Sequence, residues 1–190
     1  MNLTRFQHIV RLLNNRYKRF GGAKYVINEP TTILNHSVQT AQYIQFKIGG
    51  TSEIVVSALL HDYGHIAHGK PIAPEKGIDD KHEQVGAEAL KDLGFPDSVT
   101  IPISLHVKAK RYLATVDSRY KLSEGSLLSL KLQGGKMNSD ELLSFEQNPY
   151  YSDALTLRIA DDQAKSVRVS NKDIISYQNY IIDVLRSMNK

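Results

Sequence analysis

The chain has 190 residues, 41% of them hydrophobic and 23% charged, which gives one globular domain with a buried core and excludes disordered, collagen-like and coiled-coil classes. It contains no cysteine, so a disulfide scaffold, a cysteine-rich zinc module, an iron-sulfur cluster and a thiolate nucleophile are excluded, and any metal must be held by His, Asp or Glu. The net charge of +4 fits a small-anion site as well as a nucleic-acid partner, but aromatic-rich basic stripes and the common nucleic-acid-binding motifs are absent.

The hydrophobic pattern is helical almost throughout, without a period-two strand run. Leu3, Phe6, Ile9, Val10, Leu12 and Leu13 predict a helix over 3–20, stopped by Gly21-Gly22. This N-terminus is charged every few residues and lacks an apolar signal region, and no stretch approaches the roughly 18 apolar residues of a membrane span. A cytoplasmic protein with no membrane and no nucleic-acid partner is the expectation. Thr31 or Thr32 caps a second helix through Ile33, Val38, Ala41, Ile44 and Ile48 to Gly49-Gly50, and Thr51 or Ser52 starts a third, from Glu53 to about His65. Residues 66–80 hold two prolines and two glycines and read as a loop. Within it Asp79, Asp80, His68 and Lys70 are expected at a lid or surface, with His68 a lesser candidate ligand.

A fourth helix is predicted over 81–93, ending at Gly94, and Pro96 restarts the chain for a fifth over 99–106. Short helices come next over 108–117, 123–131 and 139–146, with Gly134-Gly135 as a sharp break, then two final helices over 150–166 and 171–188. The fold class is therefore all-α, with one domain over 1–190.

The informative residues are His36, the adjacent His61-Asp62, His82, His106 and Asp161. Each falls within or at the end of a predicted helix among apolar neighbours, such as Leu59 and Leu60 before His61 and Ile103 and Leu105 before His106. A single histidine in such a place is ordinarily a hydrogen-bonded core residue, because a buried polar group without a partner costs on the order of 1–3 kcal/mol. Taken jointly, they point to metal coordination, which satisfies several at once. An aspartate beside a histidine at one helix end can bridge two cations. Nitrogen and oxygen donors without sulfur leave iron, manganese, zinc or magnesium open.

The order His, His-Asp, His, His, Asp, with the central motif HDYGH (61–65), resembles the HD-domain superfamily. The segments HEQVGAEALKDLGF (82–95), HVKAKRYL (106–113), LQGGKM (132–137) and LRIAD (157–161) resemble, more specifically, the 2-amino-1-hydroxyethylphosphonate dioxygenases, which are mixed-valence diiron oxygenases. The likeness runs from about residue 29 to 166, between the N-terminal helix at 1–20 and the C-terminal helix at 171–188. It implies an HD-domain helical bundle with two iron ions, Fe(II)/Fe(III), and O2 as co-substrate. The expected activity is cleavage of the carbon–phosphorus bond of a small organophosphonate by a monomer or weak dimer.

It also implies a set of roles. His36, His61, Asp62 and Asp161 would hold one iron, and Asp62, His82 and His106 the other. His65, Lys110, Ser126, Gln133 and Arg158 would contact the substrate, and Glu29 would recognise its headgroup. The family's tyrosine falls on Val26, with Tyr25 adjacent, which leaves the headgroup open. The HD motif by itself is equally that of metal-dependent phosphohydrolases acting on a nucleotide or other phosphate monoester, and of catalytically silent regulatory modules.

Overall fold

In the computed structural model, which describes residues 3–23, 31–69, 79–165 and 170–187, α1 spans Leu3–Phe20. It buries Phe6, Ile9, Val10 and Leu13 of the predicted stripe, together with Tyr17, while Leu12 is half-buried. The Tyr17 hydroxyl donates to the Leu59 carbonyl, 3.2 Å away, tying α1 to the centre of the molecule. Helix α2, Ile33–Tyr43, is capped by the Thr32 side chain, which accepts from the Asn35 N–H. It runs on into a π-helical turn, Ile44–Ile48, and ends at Gly49 in the left-handed conformation, φ 78°.

Helix α3, Ser52–Leu60, is buried from Ile54 onward on every side. It lies at the centre of the bundle, in contact with α2, with α6 (Asp97–Val116), α9 (Tyr151–Gln163) and α10 (Gln178–Ser187). Here the structure departs from the single helix expected over 53–65. The chain breaks after Leu60 into a tight turn at 61–63, with Tyr63 N–H on Leu60 O and His65 N–H on Asp62 O, and resumes as α4, Gly64–Ala67. The cause is a close approach of backbones. A Cβ on Gly64 would lie 2.0 Å from the His82 carbonyl oxygen, and one on Gly86 would lie 2.9 Å from the Gly64 nitrogen. The two glycines let α4 meet α5, His82–Asp92, with nothing between them, and a straight α3 could not reach that contact.

The helices expected over 99–106 and 108–117 are one continuous α6, Asp97–Val116. Pro102 sits in its second turn, and nothing between His106 and Lys108 breaks a helix. Helices α7, Glu124–Leu132, and α8, Ser139–Glu146, fall where predicted, separated by Gly134 and Gly135 at positive φ. The last predicted helix divides into a 3-10 turn, Ile174–Tyr177, and α10. There is no β-strand among the described residues. The main core joins α1, α2, α3, α9 and α10. A smaller cluster of Leu105, Ala109, Tyr112, Met137, Phe145 and Ala154 fills the space between α6, α8 and α9.

Gly64→Ala is expected to lower stability by about 3 kcal/mol, the upper end of overpacking costs, because the opposing atoms are backbone and cannot move aside. Gly22→Ala, where no atom lies within 4 Å of the added carbon, is the control that melts like the parent. Thermal unfolding of the metal-free proteins, followed by circular dichroism, checks both.

Candidate metal centre and anion pocket

Every residue of the expected ligand set that the sequence places in helices converges at one point. His36 comes from α2, His61 and Asp62 from the turn after α3, His82 from the start of α5, His106 from the middle of α6 and Asp161 from the end of α9, and all are buried. Their imidazoles share one tautomer. Nδ1 of His36 lies 3.0 Å from the Ala164 carbonyl, that of His61 2.9 Å from Ala58 O and that of His106 2.7 Å from Ile103 O. That of His82 lies 2.8 Å from Asp80 Oδ1. Carbonyl and carboxylate oxygens only accept, so each Nδ1 carries the proton and each Nε2 is left with its lone pair inward.

Those Nε2 atoms face one another in pairs, His36 with His61 and His82 with His106, each at 3.2 Å. Facing lone pairs repel unless a proton or cation lies among them. Asp62 stands between the pairs. Its Oδ2 is 3.1 Å from His61 Nε2 and 3.6 Å from His36 Nε2, and its Oδ1 is 3.6 Å from His82 Nε2. Asp161 Oδ1 lies 3.0 Å from His36 Nε2. Apart from these imidazole nitrogens, both Asp62 oxygens and Asp161 Oδ1 are buried without a hydrogen-bond donor, a cost that a cation would remove. Two groups of donor atoms, His36 with His61 and Asp62, and Asp62 with His82 and His106, each fit within 4.8 Å. The oxygen and nitrogen set suits iron, manganese, zinc or magnesium.

The electrostatics agree. Burial works against a charged His61, yet Asp62 and Asp161 outweigh it and raise its pKa to about 9. Burial alone would raise the carboxyls, but His61, His65 and His82 hold Asp62 well below the usual range, and Arg158 and His36 do the same for Asp161. His106 is pushed down by burial and by the neighbouring His82 and His61.

Beside this cluster lies a partly open cavity of about 80 Å³, bordered by His65, His82, His106, Lys110, Ser126, Ser129, Gln133 and Arg158, and also by the acidic Asp79 and Asp80. Lys110 is buried, donates to Ser129 Oγ at 2.9 Å, and has its pKa lowered from 10.5 to about 7 by burial and by Arg158. Arg111, its neighbour in the basic stretch, turns away and holds the Gly134-Gly135 turn through Gly135 O at 2.9 Å and Glu141 at 2.7 Å. Ser126 Oγ receives Lys165 Nζ at 3.0 Å. Arg158 borders the cavity while its guanidinium is committed to Asp161 at 2.5 Å, to Asp162 and, through Nε, to the Tyr120 hydroxyl at 3.0 Å.

Of the loop residues expected at a lid or surface, Asp80 borders the cavity with 11% of its side chain exposed and contacts both His82 and His65. His68 is exposed and stands in no metal-binding group. Glu29, Tyr25, Val26 and Lys70 lie outside the described residues. Sequence reasoning missed Ser129, Tyr120 and Lys165. Ser129 sits one helical turn beyond Ser126 on α7, the spacing that could have disclosed it.

Comparison with known proteins agrees with this geometry. The HD domain family model matches residues 33–162. A [1-hydroxy-2-(trimethylamino)ethyl]phosphonate dioxygenase (glycine-betaine-forming) of Leisingera caerulea is 35% identical over 96% of this chain and 92% of its own length. A hydroxymethylphosphonate dioxygenase of Gimesia maris is 39% identical over 81% of this chain and 78% of its own. An uncharacterized protein of Acanthamoeba polyphaga mimivirus, L432, is 34% identical over 97% and 85%.

A buried lysine with a depressed pKa costs stability wherever it is charged. Between pH 7 and 10.5 the unfolded chain holds a proton at Lys110 that the folded chain does not, so its penalty is full below pH 7 and fades as the pH rises through that window. Lys110→Met is therefore expected to stabilise the metal-free protein by about 1–4 kcal/mol at pH 6. The gain should disappear above pH 10.5, as denaturant unfolding at the two pH values will show.

Proposed function

Because the chain belongs to the HD-domain family, and within it to the family of the phosphonate dioxygenases that it matches over most of its length, we propose that it is an iron-dependent oxygenase acting on a 1-hydroxyalkylphosphonate. It uses O2 to break the carbon–phosphorus bond, giving a carboxylic acid and inorganic phosphate. Glycine is the acid when the substrate is 2-amino-1-hydroxyethylphosphonate. All atoms of the substrate and of O2 are then accounted for in the two products. The observation that carries this reading is the buried Asp62 carboxylate, set between two facing pairs of imidazole nitrogens and next to a cavity that holds a buried lysine.

His36, His61, Asp62 and Asp161 would hold one iron, and Asp62, His82 and His106 the other, in a mixed-valence pair. When bound, the irons supply redox chemistry with O2 and Lewis acidity toward the substrate hydroxyl. The protein's part is positioning. The cavity borders His82 and His106 but not His36 or His61, so substrate approaches the ion on that side. Lys110 offers an ammonium in a site from which most water is excluded, where a phosphonate dianion restores its proton affinity and the pair is stronger than in water. His65, Ser126 and Gln133 add hydrogen bonds around the same anion. Arg158 contributes positive charge while keeping Asp161 in place.

The substrates named for the two dioxygenases differ in the group attached to the hydroxyl-bearing carbon, which carries a trimethylamino headgroup on one further carbon in the first and no headgroup in the second. Their shared part is a hydroxyl and a phosphonate on one carbon, which is what the cavity and the metal cluster are built to receive. Recognition of the headgroup is assigned to Glu29. The enzyme would work on this small molecule in the cytoplasm, as a monomer or weak dimer.

The test is phosphate release from 2-amino-1-hydroxyethylphosphonate and from hydroxymethylphosphonate by iron-loaded, mildly reduced protein, in air and under strict anaerobiosis. Release only in air, matched by O2 uptake, is expected with at least one of them. Release without O2 would overturn the reading in favour of hydrolysis. Lys110→Ala is expected to raise KM about 10- to 100-fold, the worth of a hydrogen bond to a charged group, while iron content stays at the parent level. Asp62→Ala is expected to lose both ions and all activity.

A further inference from the structure

We propose that Asp80 is the positioning residue of the second ion's site and couples that site to the substrate side, an inference that rests on the dinuclear reading above. Three of the four ligand imidazoles are oriented by main-chain carbonyls, His36 by Ala164, His61 by Ala58 and His106 by Ile103. No substitution removes those acceptors. His82 differs, because its Nδ1 proton is taken by a side chain, Asp80 Oδ1 at 2.8 Å. The same oxygen also receives the His82 backbone N–H at 3.2 Å, which fixes the carboxylate at the start of α5.

The second carboxylate oxygen lies 2.8 Å from Nδ1 of His65. The two rings stack against each other, centroids 4.1 Å apart and planes 18° apart. The carboxylate therefore sets His82 through a hydrogen bond and holds the His65 ring by a close polar contact without hydrogen-bond alignment. It keeps the His82 proton on Nδ1, so that Nε2 faces His106 Nε2 and Asp62, and it directs the His65 ring, which borders the anion cavity. Second-sphere carboxylates of this kind orient metal-bound histidines and raise their basicity.

His65, Asp80 and His82 also bring donor atoms close enough for an ion of their own. Because Asp80 Oδ1 already receives both the His82 Nδ1 proton and the His82 backbone N–H, the carboxylate is read as a partner of the ligands.

Asp80→Asn tests this with little change of shape. An amide has one accepting oxygen and presents N–H to its other neighbour, so one of the two imidazoles loses its partner or its tautomer. Metal-free parent, Asp80→Asn and Asp80→Glu are titrated anaerobically with Fe(II), bound iron is measured, and thermal unfolding of each metal-free protein is recorded. The parent should take up two ions. Asp80→Asn should bind the first like the parent and the second about 10- to 100-fold more weakly, with an unchanged unfolding midpoint, and Asp80→Glu should recover part of that loss.

Parent-like affinity for both ions in Asp80→Asn would overturn the role of Asp80. Uptake of a third ion by the parent, lost in Asp80→Asn, would overturn it in favour of an ion site at Asp80 itself. Failure of the parent to bind two ions would instead overturn the dinuclear reading. A measurement on the parent alone keeps the proposal open to refutation if Asp80→Asn does not fold. Ring nitrogen NMR shifts of the zinc-loaded protein should show His82 protonated on Nδ1, and a proton on Nε2 would refute it.

Discussion

A carboxylate buried with no donors around it but imidazole nitrogens requires positive charge beside it, and Asp62 is that carboxylate. Much of the fold around it serves to supply the charge. The break after α3 turns Asp62 inward, the Gly64–Gly86 contact brings α5 near enough for His82, and four imidazoles arrive with their Nδ1 protons already spent on acceptors. In the metal-free chain a proton answers part of this demand, as the raised pKa of His61 records. Metal ions answer it with a larger charge and with directional bonds to the Nε2 lone pairs, so the cluster is arranged for cations before any arrive.

On the cavity side the problem is reversed. Positive charge must wait for an anion without being neutralised by the protein's own acids. Arg158 is not wholly such a charge, since Asp161 and Asp162 already engage it. Lys110 is. Its carbon stem is buried along α6, its ammonium contacts a neutral serine hydroxyl, and burial with the nearby arginine holds its pKa close to neutrality. A group in that condition gains most from an arriving dianion, and stability is given up in the free protein to keep it so.

Residues that carry chemistry and periodicity are legible in the sequence. The six residues of the cluster stand out because histidines and aspartates amid apolar helix faces require partners, and α1, α5, α7 and α8 emerge from caps and glycine stops. The features that escape a sequence reading depend on contacts between distant segments. The break in α3 is caused by the backbone of α5, and Gly64 alone gives no sign of it. The continuity of α6 is hidden by the basic run after His106, which reads as the start of a new element. Asp80, in a stretch that reads as loop, is expected at the surface because its two partners are recognisable only once α4 and α5 are placed together.

Two charged side chains of opposite sign join the metal cluster to the cavity. Arg158 holds Asp161 Oδ2, leaving Oδ1 toward His36, and also borders the anion space. Asp80 holds His82 and touches His65, which borders that space as well. Each contacts a residue of the metal cluster and itself borders the cavity. An anion in the cavity would therefore draw on the guanidinium that holds Asp161 and on the imidazole that faces Asp80, so the cavity and the cluster share the two charges that join them.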